Sequence, residues 1–223
     1  MSLRRRGRDD EAAAEAIDAA QRWPGAVRAA VIVADKAIEV GMPEVALDMA
    51  TAARESGGVD SAPMARRHEL VNRVVDARLL LGNLAGAVAE ALVIVEEQGS
   101  LDAWPAMLEA AVDDTEQLTL VLGLALLSDG TDFLRAAAST LRPDKTAELC
   151  LAYLMAGGRN PDAVTTGVLA AVLRDRADLA LLLVEHADLL EPDVRERLAE
   201  QLRGAGATAA ADRLEQRNDL AFS

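Results

Sequence analysis

Aromatic residues and cysteine are scarce in this 223-residue chain. Phe, Trp and Tyr together make up 2% of it, and Cys150 is the one cysteine. A single cysteine excludes an intrachain disulfide, which fits a reducing cytoplasm. Because β-sandwiches and barrels use more aromatic and β-branched residues, a core rich in alanine and leucine favours packed helices. Cys150 lies in the apolar run AELCLAYLM, where we expect a buried, unreactive thiol.

Net positive charge and long apolar runs are missing as well. The formal net charge is -14, and acidic residues are spread over both halves of the chain. Such a surface repels nucleic acid and anionic membranes, so we expect neither as a partner. Acidic residues interrupt the apolar stretch 112–127, which is too short to span a membrane. The opening residues MSLRRRGR lack the apolar segment of a secretory signal, and we expect a cytoplasmic protein.

Helical periodicity runs along nearly the whole chain. Between Val27 and Ile38, for example, apolar residues recur at three- and four-residue intervals. The pattern predicts helices at 9–22, 24–40, 43–56, 62–81, 84–98, 101–112, 114–128, 131–141, 143–157, 160–173, 175–189, 191–204 and 207–218. Short connections predict antiparallel neighbours. Since no linker rich in proline, serine or glycine interrupts the pattern, we predict a flexible arm at 1–8 and a single helical-repeat domain at 9–223.

A glycine followed five residues later by an alanine recurs between the predicted helices. The four pairs are Gly41 with Ala46, Gly82 with Ala87, Gly158 with Ala163, and Gly206 with Ala211. Glycine permits a tight bend, and alanine lets the second helix approach the first closely. A fifth glycine, Gly130, departs from the pattern because Arg135 stands where the alanine is expected.

This unit, with an apolar helix on each side, resembles the tetratricopeptide repeat (TPR). Ala34 and Gly123 match the family's small position in the first helix, and Ala53 and Ala170 match the later alanine of the second. The resemblance implies a fold in which stacked hairpins bury their apolar faces against one another and form a curved surface.

The spacing of the repeats departs from that family. The bend glycines are 41, 48, 28 and 48 residues apart, whereas the TPR unit has about 34 residues. Val75 and Leu151 also fill positions that should be small. We therefore predict an all-α fold of antiparallel helical hairpins, stacked as an irregular TPR-like α-solenoid.

The resemblance also implies where a partner would bind. TPR domains that hold a peptide C-terminus use lysine and asparagine side chains of their first helices as a carboxylate clamp. The matching positions here include Asp35, Asn72 and Asp76, and the basic members of the clamp are missing. A neutral or basic ligand is favoured instead. The predicted groove comprises Asp35, Arg66, Asn72, Arg73 and Asp76, although a solvated helix face is the simplest interpretation of the arginines.

Residues for catalysis or metal binding are few. His68 and His186 are far apart, each best interpreted as a surface or helix-end histidine, and a His/Cys metal site is improbable. Asp113, Asp114 and Glu116 resemble the magnesium-diphosphate motif of all-helical isoprenoid synthases. They also stand at a predicted helix start, where acidic residues complement the helix dipole. We expect no cofactor and no catalytic residue.

Three functional hypotheses follow. The first is a non-enzymatic scaffold or interaction module that binds a protein or peptide partner on its TPR-like surface, with a homo-oligomer as an open alternative. The second is an accessory helical-repeat region of a larger enzyme, as in bacterial glycosyltransferases, by analogy alone. The third is a magnesium-dependent diphosphate enzyme built on the acidic cluster.

Overall fold

The computed structural model describes residues 27–99 and 101–221, with side chains described up to residue 216. The predicted arm at 1–8 and the predicted helix at 9–22 lie outside this part of the chain. The described residues form thirteen α-helices and a short 3₁₀ helix, and they contain no β-strand. The prediction of an all-α fold is confirmed.

The chain divides into two compact units, Met1–Ala111 and Val112–Ser223. The described part of the first unit contains helices α1 (Val27–Glu39), α2 (Pro43–Glu55), α3 (Gly58–Ser61), α4 (Met64–Leu80), α5 (Leu84–Glu96) and α6 (Trp104–Ala111). The pattern of the sequence predicted these helices to within three residues at each end, except for α3. That single turn has no apolar period of its own. The prediction of one domain from 9 to 223 stays a prediction.

The described part of the second unit contains seven α-helices. They are α7 (Thr115–Leu127), α8 (Thr131–Thr140), α9 (Pro143–Met155), α10 (Asp162–Val172), α11 (Ala177–Val184), α12 (Pro192–Gly204) and α13 (Thr208–Ala221), with the 3₁₀ helix Ala187–Leu189 after α11. The predicted helix at 175–189 is thus two elements. Proline stands at the first position of both α9 and α12, where its missing N–H leaves no hydrogen bond unmade.

Glycine and alanine have the roles in the hairpins that the sequence predicts. The backbone takes a left-handed conformation at Gly41, Gly82, Gly130, Gly157 and Gly206, with φ between 69° and 99°. At the fourth of these bends the left-handed residue is Gly157 and not Gly158. The alanines of the four pairs are all fully buried: Ala46, Ala87, Ala163 and Ala211. A larger side chain at these positions would push the paired helices apart.

Helix α1 packs against α2 and α4. Near its start, one core cluster joins Val27 and Ala30 to Ala50, Ala53, Leu70 and Val74. Near its end, a second cluster joins Ala34 and Ala37 to Val45, Ala46, Met49 and Ala77. Residue numbers fall along α2 but rise along α4 as α1 advances. Helices α1 and α2 are therefore an antiparallel hairpin, and α4 runs parallel to α1 across it. The α-solenoid itself stays a prediction.

The second unit brings α9, α10 and α11 into close contact around Gly167. A Cβ atom at Gly167 would lie 2.8 Å from Cβ of Cys150 and 2.9 Å from Cδ2 of Leu183. Cys150 is fully buried, as predicted, and burial raises the pKa of its thiol to about 12. Gly123 differs from the expectation of a small packed residue, because it is exposed on α7 and nothing lies within 4 Å of a Cβ placed there.

Candidate partner-binding face

Helix α4 carries four arginines, among them the predicted groove residues Arg66 and Arg73. Arg67, Arg73 and Arg78 are each about two-thirds buried, with side chains 29%, 32% and 30% exposed. Each forms an ion pair with a different neighbouring segment of the first unit. These three arginines therefore form an ion-pair network that joins α4 to α1 on one side and to the α5 segment on the other.

Glu90 on α5 joins three helices. Its Oε2 accepts a hydrogen bond of 2.6 Å from Nη2 of Arg54 on α2, and its Oε1 accepts one of 3.2 Å from Nη2 of Arg78. The side chain of Glu90 is only 14% exposed. Burial opposes its ionisation, but the two guanidinium groups outweigh burial and lower the pKa of Glu90 below its usual value.

His68 lies against the turn that follows α5. Its Nε2 atom is 2.8 Å from Oε2 of Glu97, and Nη2 of Arg67 is 3.3 Å from Oε1 of the same carboxylate. The ring packs on Gly99, where a Cβ atom would lie 2.5 Å from the imidazole. Gln98, just before it, has a left-handed φ of 55°. The histidine therefore has a structural explanation in the packing of this turn.

Three of the predicted groove residues meet between α1 and α4. Nε of Arg73 lies 2.9 Å from Oδ1 of Asp35 on α1, and Nη1 of Arg73 donates a hydrogen bond of 3.3 Å to Oδ2 of Asp76. The Arg73–Asp35 pair is close, but the buried Nε–H is not aligned with a hydrogen-bond acceptor among the described residues. One guanidinium is thus shared between two carboxylates.

The other two predicted groove residues have different surroundings. Asn72 is 6% exposed, and its Oδ1 accepts a hydrogen bond of 3.3 Å from the backbone N–H of Asp102, just before α6. Arg66 pairs with Glu69 one turn along α4, and each side chain is 44% exposed. Asn72 therefore positions the segment before α6, and Arg66 is not brought to the Asp35–Arg73–Asp76 group.

Asp76 is partly buried, and two other carboxylates, Asp35 and Asp102, lie near it. Burial raises its pKa above the usual value, and the nearby charges of Asp102 and Asp35 raise it further, against the lowering effect of Arg73. Arg73 therefore pairs with two carboxylates, Asp35 and Asp76, while the charge of a third, Asp102, acts on Asp76. The sequence pattern missed Asp102 because it follows a loop whose path no periodicity predicts.

Apolar side chains are exposed one helical turn from these acids. Ile32 precedes Asp35 by three residues and is 53% exposed, and Leu80 follows Asp76 by four residues and is 60% exposed. Residues three or four apart share one face of a helix. We call the surface formed by Ile32, Asp35, Arg73, Asp76, Leu80 and Asp102 the acidic face. It combines excess negative charge with exposed apolar area.

The acidic cluster before α7 has a local explanation. Asp114 is the N-cap residue of α7, and its Oδ1 accepts hydrogen bonds from the backbone N–H groups of Glu116 at 2.9 Å and Gln117 at 3.1 Å. The interpretation of this cluster as a helix start is confirmed. Among the described residues, no group of three or more histidine, cysteine or acidic side chains is arranged to hold a metal ion.

The second unit has an open pocket of about 490 Å³ between its interhelical turns, lined by residues 126, 128, 129, 153 and 157–161. Asn160 connects the two turns, because its Nδ2 donates to the carbonyl of Asp129 at 2.7 Å and to Oγ1 of Thr131 at 3.0 Å. Tyr153 fills the space that Gly130 leaves without a side chain. None of the groove residues predicted from the sequence lies in this pocket.

Comparisons with protein-family models, with curated proteins and with solved structures found no match for this chain. The resemblance to the tetratricopeptide repeat therefore depends on the residue pattern alone. Within the described part of the chain, no helix has the length and apolar character needed to cross a membrane.

Proposed function

We propose that this protein is a non-enzymatic interaction module whose acidic face binds a basic segment of a protein partner. The observation that carries the proposal is the pairing of Asp35 and Asp76 with the single guanidinium of Arg73, with the charge of Asp102 close enough to raise the pKa of Asp76. Ionisable groups held in unfavourable surroundings are concentrated at functional sites. A lysine or arginine side chain of a partner would supply the positive charge that this group lacks.

The neighbouring apolar residues favour a protein segment over a small cation. Ile32 and Leu80 are each more than half exposed beside the acids. A segment with basic and apolar side chains would satisfy the charge and cover this area together. Electrostatic attraction would raise the rate of association, and salt would weaken it.

The ion pairs behind the face support its rigidity. Arg78 and Arg67 of α4 are bonded to Glu90 and Glu97 of the α5 segment, and Glu90 is also bonded to Arg54 of α2, so α4 is held against α5 before any partner arrives. A binding surface that is already ordered loses less conformational entropy on association. The accessory-region hypothesis would use the same face and stays a hypothesis. We also propose a cytoplasmic location, which the single buried cysteine fits.

The proposal is tested with a pair of fluorescein-labelled peptides of equal length. One peptide alternates arginine with leucine, and the other alternates glutamate with leucine. We expect fluorescence anisotropy to detect binding of the basic peptide only, with affinity falling at least tenfold between about 50 mM and about 500 mM salt as charges are screened. Equal binding of the two peptides would contradict the proposal.

Matched variants assign the binding to the face. Asp35→Asn with Asp76→Asn removes two of the three acids, whereas Asp48→Asn removes an acid that is exposed on α2, outside the acidic face. We expect the double variant to lose about tenfold or more in affinity and the control to stay within about twofold of the wild type. Equal losses in both proteins would mean that the peptide responds to net charge alone.

A further inference from the structure

The densest basic segment of the sequence is not explained by the interaction with a partner. Arg4, Arg5, Arg6 and Arg8 lie within the first eight residues of a chain that has 37 acidic and 23 basic residues. These arginines lie outside the described part of the chain, which begins at Val27 at the start of α1. They have the chemistry that the acidic face is proposed to bind.

We propose that residues 3–8, Leu-Arg-Arg-Arg-Gly-Arg, occupy the acidic face of their own chain and compete with the partner's basic segment. This inference rests on the proposed function of that face. The arm would act as an internal pseudo-ligand. A partner would then have to displace it, so only segments that bind more tightly than the arm would be retained.

The chain length permits this contact. Asp35 lies eight residues after Val27 along α1, which is about 12 Å at the rise of an α-helix. Eighteen residues, 9–26, separate the arm from Val27, and a fully extended segment of that length reaches about 60 Å. That length is sufficient for the arm to reach the face.

The chemistry of the arm matches the face on two counts. Arginine can donate two parallel hydrogen bonds to one carboxylate, a geometry that lysine does not offer. Asp35 and Asp76 share one guanidinium and Asp102 lies near Asp76, so the face has carboxylate oxygens to accept such bonds. Leu3 supplies an apolar side chain next to the arginines, as Ile32 and Leu80 supply apolar area next to the acids.

The expected size of the effect follows from effective concentration. A segment tethered by a short linker is present at an effective concentration on the order of 1 mM. If the free arm binds with a dissociation constant of about 0.1 mM, the tethered arm weakens the apparent affinity for any competitor about tenfold. Removing the positive charge of the arm should therefore raise the apparent affinity for a competitor by the same factor.

The experiment measures binding of a fluorescein-labelled peptide corresponding to residues 2–8 of this chain. It compares the wild type with a neutral-arm variant, Arg4→Gln, Arg5→Gln, Arg6→Gln and Arg8→Gln. We expect the neutral-arm variant to bind the peptide about tenfold more tightly. A charge-preserving variant with lysine at the same four positions should bind the peptide with an affinity closer to that of the wild type.

The comparison is repeated with Asp35→Asn and Asp76→Asn added to both proteins. Four lost arginines make the chain more negative and attract any cationic peptide, so the decisive quantity is the double-mutant coupling. We expect the advantage of the neutral arm to fall below about twofold in this background. A full advantage there would show that the arm acts elsewhere and would overturn the proposal.

The remaining outcomes separate this inference from the proposed function. Equal, measurable binding by the wild type and the neutral-arm variant would overturn self-occupancy but leave the acidic face as a binding site. No binding by either protein would overturn both. If light scattering shows that the wild type dimerises and the neutral-arm variant does not, the arm binds a second copy, and the contact within one chain is wrong.

Discussion

Alanine substitutions at two helical glycines of the second unit should have opposite effects on stability. Gly123 is exposed in the middle of α7 with nothing within 4 Å of a Cβ atom placed there. Gly167 lies in the middle of α10, where a Cβ atom would approach Cβ of Cys150 to 2.8 Å. We expect Gly123→Ala to stabilise the protein and Gly167→Ala to destabilise it.

The magnitudes follow from helix propensity and packing. Alanine is more favourable than glycine inside a helix by about 1 kcal/mol, and Gly123→Ala should gain most of that. Gly167→Ala gains the same contribution, but overpacking a core costs about 1–3 kcal/mol. The cost falls near the upper part of that range, because the Cβ atom of Cys150 is fixed to the backbone and cannot move aside. The two variants should therefore differ by about 2 kcal/mol.

Thermal unfolding followed by circular dichroism measures this difference directly. For a chain of this size we expect the unfolding midpoint of Gly123→Ala to exceed that of Gly167→Ala by about 4–8 °C, with the wild type between them. Equal unfolding midpoints for Gly167→Ala and Gly123→Ala would refute the close packing of α9 on α10. A loss of stability in Gly123→Ala would favour the TPR-like interpretation, in which position 123 faces another helix.

Three further predictions concern ionisable groups. Glu90→Gln should lower the free energy of unfolding by about 1 kcal/mol at pH 7. Because the pKa of Glu90 is lowered in the folded state, this difference should be present above the usual pKa of 4.5 and should disappear as the pH falls through the folded pKa. Urea titrations at a series of pH values measure it. Asp114→Ala should cost about 1 kcal/mol in the same assay through loss of the α7 cap, while Asp113→Ala should cost little. Cys150, with its thiol pKa raised to about 12, should react with Ellman's reagent at pH 8 only at the rate of unfolding.

The helices were predictable because their signals are local. The three- and four-residue apolar period and the bend glycines placed nearly every helix boundary of the described residues. The four-residue α3 was missed because a single turn has no period. Gly158 was taken for the bend in place of Gly157 because two adjacent glycines are equivalent in a sequence. Only their backbone angles distinguish them.

The candidate site was predictable only in part. Asp35, Arg73 and Asp76 were found because α1 and α4 are parallel, which the repeat pattern implies. Asn72 was chosen on the same pattern, but a rotation of about 100° per residue places it inside, where it holds the backbone of Asp102. The ion pair of Arg78 with Glu90 was not predicted, because it joins different helices and opposite charges are abundant throughout the chain.

The acidic face contains one carboxyl group, that of Asp76, whose ionisation costs stability. For a carboxyl group whose folded pKa is raised, stability falls as the pH rises from the unfolded pKa through the folded one. Ionisation of Asp76 therefore lowers the stability of the folded protein at pH 7. Binding sites often keep ionisable groups in unfavourable surroundings, because the opposite charge of a partner makes the ionised form more favourable.

The most direct test is to measure stability and binding on Asp76→Asn together. Asparagine keeps the shape of the side chain and removes the charge. We expect a higher unfolding midpoint than the wild type at pH 7, together with weaker binding of the arginine-leucine peptide at low salt. A lower midpoint with unchanged peptide binding would contradict the proposed role of the acidic face, because Asp76 would then be a structural carboxylate with no part in recognition.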